Sequence, residues 1–170
     1  MEFIFYLSGA VAIAATAMML TRVNVVHALL YLIVSLLAVA LVFFLLGAPF
    51  VAALEVIVYA GAIMVLFIFV VMMLNLGERS AAQERAWLRP GIWLGPGLLA
   101  AILVAEVIYV VAGSGVPDET AVLVTPREVA VLMFGPYLIG VELASMLLLG
   151  ALVGAYHLGR RRQERNQGGS

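Results

Sequence analysis

The sequence predicts an all-α polytopic membrane protein with five transmembrane helices, and three observations carry that prediction. Of 170 residues, 65% are hydrophobic and 11% are charged, against about half and about a quarter in a soluble domain. Mean hydropathy is +1.17. No soluble core of this size absorbs such an excess, so the surplus apolar surface must face lipid. The apolar residues also come in five long runs, with the turn formers and nearly all the charge between them.

A spanning helix takes about 20 predominantly apolar residues. The first run covers 2–20. Within it Ala15-Thr16-Ala17 looks like a small-residue cleavage site, but the leading segment carries Glu2 and no basic residue. That flank is wrong for a secretory signal, so the run is read as a retained helix. Thr21-Arg22-Val23-Asn24 separates it from the second run, 26–46, and Gly47-Ala48-Pro49 separates that from the third, 51–76. Residues 77–90, with Glu78, Arg79, Glu84, Arg85 and Arg89, precede the fourth run, 91–112. Residues 113–133 hold Gly113, Gly115, Pro117, Asp118, Glu119 and Pro126, and lead to the last run, 134–157. The expected organisation is one membrane domain over 1–160 and a polar cytoplasmic tail over 161–170.

Two of the connections carry helix-start signals. Ser80-Ala81-Ala82-Gln83 and Thr125-Pro126-Arg127-Glu128 both fit a capping box, the second with Pro at the first helical position. The second predicts a short interfacial helix from Pro126 to Met133, which Gly135-Pro136 breaks before the last span. The plainer reading of both is ordinary loop structure.

Every basic residue is an Arg, and their placement predicts orientation. The first, third and last flanks that share a side hold Arg22, then Arg79, Arg85 and Arg89, then Arg160, Arg161, Arg162 and Arg165. The opposite side holds only Arg127. The N-terminus is therefore expected outside and the C-terminus in the cytoplasm. Trp87 and Trp93 flank the start of the fourth span, where an aromatic belt belongs.

Much chemistry is excluded. Cysteine is absent, which rules out Cys-ligated zinc, iron–sulfur clusters, thiol catalysis and disulfides. The chain has no nucleotide-binding loop, nucleophile triad or cofactor motif, and its Arg residues form no nucleic-acid surface. His27 and His157 lie near the cytoplasmic ends of different spans and read as interface residues rather than haem or metal ligands. What remains is ionisable groups inside the bilayer, which are costly there and face protein or water. Three qualify: Glu55, one turn into the third span; Glu106, about two turns from the outer end of the fourth; and Glu142, about two turns into the last. Each carboxyl either makes a structural hydrogen bond between helices or takes part in proton conduction, and the residues alone leave both readings open.

The third span is the most informative stretch. Tyr59 follows Glu55 at i+4, so the two share a helix face. Val56, Ile57 and Val58 restrain χ1, and Gly61 then loosens the backbone. A weak point is expected near Tyr59–Gly61. Met64, Met72, Met73 and Met146 add adaptable packing. Gly150 and Gly154 form a GxxxG, with Gly140 and Ala144 at the same spacing, and the first span is rich in Gly and Ala. These small residues predict close packing against other helices. Three functions fit so far: a coupling subunit of a larger complex, an independent small proton or cation transporter or channel, and a purely structural assembly subunit. The spans show no clear inverted repeat and no paired broken helices, which counts against the transporter.

The run Glu55-Val-Ile-Val-Tyr59-Ala60-Gly61-Ala62-Ile-Met-Val65-Leu-Phe-Ile-Phe-Val-Val-Met-Met-Leu-Asn75 resembles the third helix of the subunit J family of proton-pumping NADH:quinone oxidoreductase, respiratory complex I. Asn24-Val-Val-His27-Ala-Leu-Leu-Tyr31 and Phe134-Gly-Pro-Tyr-Leu-Ile-Gly-Val-Glu142-Leu-Ala-Ser-Met-Leu-Leu-Leu149 support it. The resemblance covers essentially all five spans and is closest to the bacterial form. It implies a membrane-arm core subunit of the bacterial inner membrane, set among lipids beside the quinone-site subunit and a small antiporter-like subunit. It implies no cofactor in this chain, with NADH, FMN, iron–sulfur clusters and quinone on partner subunits. It further implies a π-bulge at Tyr59, Ala60, Gly61 and Ala62 that converts to regular α-helix during turnover. Removing one inserted residue turns the following helix by about 100°. Val65 and Phe67 would then leave a water path, and a dry plug would become a proton route past Glu55 and Tyr59. Glu142 joins that expected pathway. The resemblance attaches no role to Glu106.

Overall fold

The computed structural model describes residues 2–22, 25–73, 90–113 and 123–167, and all the regular structure among them is helical. The Ser80–Gln83 capping box, most of the charged 77–90 connection, Trp87, Asn24, Asn75 and residues 114–122 lie outside the described residues. The chain forms two compact units, Met1–Val124 and Thr125–Ser170.

The first unit holds α1 (Glu2–Leu20), α2 (Val25–Leu45) and the third span, followed by α5 (Pro90–Gly113). The third span has three parts: α3 (Pro49–Leu54), a π-helix (Glu55–Ile63) and α4 (Met64–Met73). The second unit holds α6 (Pro126–Met133) and α7 (Leu138–Gln167). Five helices are long and apolar enough to cross a membrane: Glu2–Leu20, Val25–Leu45, Pro49–Met73, Trp93–Ala112 and Leu138–Gly159. All five expected spans are therefore present.

Local chemistry explains where the elements stop and start. After α2, Gly47 takes φ 81, the left-handed region that glycine enters without a Cβ penalty. Its N–H donates to Phe44 O at 3.1 Å, and the Ala48 N–H donates to Phe43 O at 3.0 Å. This is the paired 5→2 and 6→1 closure of a Schellman motif. Pro49 then opens α3, where a missing N–H costs nothing. The expected cap at Thr125 is present in full: the Thr125 N–H donates to Glu128 Oε2 at 2.8 Å, and the Glu128 N–H to Thr125 Oγ1 at 3.3 Å.

The last span begins later and runs further than the apolar run predicts. Residues Phe134–Tyr137 form a turn, because Pro136 has no N–H to give and Gly135 sits tight against the preceding helix. A Cβ at Gly135 would lie 2.7 Å from Val131 O. The helix then continues through the Arg160–Arg162 run to Gln167, since Arg, Gln and Glu are good helix formers once clear of the apolar stretch.

The core of the first unit lies between α1, α2 and α5. Ile4, Val11 and Ala15 meet Val34, Ala38 and Leu41, with Leu103 and Val110 closing the third side. Ala15 and Ala38 are fully buried, and their small side chains let the helices approach closely. The third span contrasts with this: no residue of its π-helix is buried, and α4 buries only Met64. In the second unit, Glu142 through Gly159 is exposed throughout.

Candidate functional site

The π-helix is the irregular element of the third span. At its start the Glu55 N–H still reaches Ala52 O and Val51 O, three and four residues back. At its end the Met64 N–H donates to Tyr59 O, five residues back, and also to Gly61 O. The i→i+5 pattern widens the helix and leaves it less favourable than α. Gly61 fits this winding: a Cβ there would sit 3.1 Å from Val56 O, again five residues back. The expected bulge at Tyr59, Ala60, Gly61 and Ala62 thus falls inside a longer stretch, Glu55–Ile63, of nine residues.

Glu55 is the first residue of that stretch and is half-buried. Tyr59 is 51% exposed and Val65, one residue into α4, is 61% exposed. Ala60 and Gly61 are partly covered, while Ala62 and Phe67 are exposed. These residues follow one another along a single helix that packs on α2. An apolar cleft of about 520 Å³ lies beside the helix start, walled by Leu37, Leu41, Ala53, Val56, Val107 and Val111 among others. Glu142 belongs to the second unit. Its side chain is exposed, and its backbone carbonyl accepts the Ser145 hydroxyl at 2.7 Å.

The α1–α2–α5 bundle holds a second set of polar groups that the sequence reading did not assemble. The Ser8 hydroxyl donates to Glu106 Oε2 at 2.7 Å across α1 and α5. Farther along α1, Thr16 Oγ1 and Ser35 Oγ are 2.8 Å apart, and both hydroxyls bond Ala12 O. At the next level Arg22 reaches the Tyr31 hydroxyl at 3.3 Å and lies over its ring. Tyr31 is buried, and Gly95 of α5 leaves the space its hydroxyl occupies. His27 is also buried, edge-on to Trp93, whereas His157 is exposed. The signal was present in the spacing. Ser8, Ala12 and Thr16 recur at i+4 on α1, and His27, Tyr31 and Ser35 recur at i+4 on α2, so each set lines one helix face.

Among the described residues no three His, Asp or Glu side chains gather to hold a metal ion. Fold and site together define a polytopic helical membrane protein with a π-helix in one span. The family described as NADH-ubiquinone/plastoquinone oxidoreductase chain 6 matches residues 15–158, and the chain belongs to that family. It is similar to NADH-quinone oxidoreductase subunit J of Pseudomonas aeruginosa, at 59% identity over 165 residues, covering 95% of this chain and 98% of the relative. Subunit J of Escherichia coli strain K12 is 55% identical over 160 residues, covering 94% and 87%. Subunit J of Buchnera aphidicola subsp. Schizaphis graminum is 45% identical over 163 residues, covering 96% and 100%.

Proposed function

We propose that this chain is a membrane-arm subunit of a proton-translocating NADH:quinone oxidoreductase, and that it couples quinone reduction to proton movement through its third span. The observation that carries the coupling role is the π-helix over Glu55–Ile63 in a helix otherwise built to run straight through a membrane. An i→i+5 stretch is rare and frequent at functional sites, and the α-helix is the competing winding of the same residues. Conversion to α would rotate Val65 and the rest of α4 by about 100° relative to Glu55. An apolar side chain leaving the helix face of Glu55 and Tyr59 would admit water there, and water next to a carboxyl and a phenol is a proton path.

The chain carries no catalytic group in this reading. NADH, FMN, iron–sulfur clusters and quinone are bound by partner subunits, and the exposed faces of the third span and of α7 are covered by those partners and by lipid. The Arg distribution supports a periplasmic N-terminus and a cytoplasmic C-terminus in a bacterial inner membrane. Glu142, on α7, is a proton-pathway residue in this reading.

Replacing Gly61 with Val or Leu tests the coupling role. A side chain at 61 presses on Val56 O in the π winding and biases the span toward α. The expected result is a complex that assembles and oxidises NADH with an artificial acceptor but pumps fewer protons per electron. Full pumping at unchanged stoichiometry in the Gly61→Leu complex would overturn the reading.

A further inference from the structure

Arg22 stands at the end of the first span, and its side chain is both exposed and held in place. It lies just beyond Leu20, where the first apolar helix ends, so it falls at the level of lipid headgroups. Its guanidinium sits 5.2 Å over the Tyr31 ring, within cation–π range, and Nη2 donates to the Tyr31 hydroxyl at 3.3 Å. Tyr31 is itself fixed. It is buried in the bundle, and its hydroxyl fills the space that Gly95 of α5 leaves.

A guanidinium carries several N–H donors in a planar fork, and Tyr31 takes one of them. The rest of the fork has no acidic partner among the described residues. The helices that meet at this level are α1, α2 and α5, and α2 carries no carboxyl. On α1 the one carboxyl is Glu2, about 30 Å back along the helix at 1.5 Å per residue. On α5 it is Glu106, about 16 Å along from Gly95 on the same rise. The neighbours of Arg22 on the outside are apolar instead. Leu20 on α1 and Trp93 and Leu94 on α5 are all exposed, which is the composition of a membrane–water boundary.

We propose that Arg22 binds the phosphate of an anionic phospholipid at this end of the α1–α2–α5 bundle. The planar fork matches two phosphate oxygens at once. Ordering a long cationic side chain normally weakens such a contact, and here Tyr31 has already ordered it. The acyl chains lie along the exposed apolar side chains, Leu20 and Leu94 among them. The absence of a nearby carboxyl among the described residues also selects the headgroup. A zwitterionic lipid brings an ammonium that finds no partner at this site, so a headgroup of net negative charge, such as phosphatidylglycerol, binds better than phosphatidylcholine. The inference does not rest on the winding of the third span.

The test places the intact purified complex in phosphatidylcholine vesicles that contain a photoactivatable phosphatidylglycerol or, separately, a photoactivatable phosphatidylcholine. Crosslinks are then mapped by peptide mass spectrometry. The expected result is labelling around residues 18–31 and 90–98 that favours phosphatidylglycerol about fivefold, the worth of one Arg near an anionic surface. In Arg22→Gln that preference falls to parity, while labelling along the exposed face of α7 is unchanged. A second measurement needs no variant: phosphatidylglycerol, and not phosphatidylcholine, should protect Arg22 of the wild-type complex from modification by phenylglyoxal. Equal labelling by the two lipids would overturn the proposal, as would a preference that survives in Arg22→Gln. Loss of the preference on adding inorganic phosphate would assign the site to a free anion instead. Should Arg22→Gln fail to assemble, the protection measurement decides, and an Arg22 equally reactive in both lipids overturns the proposal.

Discussion

Glu106 and Glu55 are the same side chain in two settings within one unit. Glu106 is enclosed by three helices and takes a hydrogen bond from Ser8. Glu55 begins a π-helix with no buried residue, and the Tyr59 beside it is half exposed. The bundle pairs polar side chains inside the chain: Ser8 with Glu106, Thr16 with Ser35, Arg22 with Tyr31. The third span packs one side on α2 and leaves the residues of its π-helix unburied. A scaffold and a moving part differ in this way, because a helix already locked by its own chain cannot rotate without breaking contacts. In the proposed reading stability belongs to the bundle and coupling to the third span, and substitutions in each region test that division.

The largest effect is expected in the bundle. Gly95→Leu drives a side chain into the Tyr31 hydroxyl, and overpacking of this kind costs about 3 kcal/mol. The complex should lose thermal stability and yield while any assembled fraction keeps its proton stoichiometry. Next comes Gly61→Val. Assembly should be near normal, but a bias of about 1.4 kcal/mol against the π winding changes the winding equilibrium tenfold, read as fewer protons pumped per electron. Ser8→Ala removes the donor to Glu106 and should cost about 1–2 kcal/mol in thermal stability with coupling retained. Coupling loss without destabilisation in Ser8→Ala would break the division between the two regions. Smallest is Thr125→Ala, which deletes one half of the α6 capping box. It should cost about 1 kcal/mol, visible as faster amide exchange in the first turn of α6.

Much of the fold was legible in the sequence because the bilayer requirement is a length and hydropathy requirement. Five apolar runs become five helices, and Thr125-Pro126-Arg127-Glu128 becomes a capped helix start, because both signals are local. The end of the last helix was not legible, since Arg160–Gln167 is polar yet helix-favouring. The expected weak point near Gly61 falls within the π-helix, but its extent from Glu55 to Ile63 was not foreseen. No side-chain pattern distinguishes i→i+5 bonding from i→i+4 over several residues. The pairing of Ser8 with Glu106 was hidden for a different reason. It depends on the register of α1 against α5, helices separated by 98 positions at the point of contact, and periodicity on one helix says nothing about its level against another.

The central claim is that the third span has two windings. The most direct measurement is the backbone hydrogen bonding around Met64 in the assembled complex, resolved once at rest and once during turnover. In this structure the Met64 N–H is on Tyr59 O, five residues back. The account predicts that during turnover it moves to Ala60 O, four residues back, with Val65 turned by about 100°. A Met64 N–H that stays on Tyr59 O in every state of a fully pumping complex would contradict it.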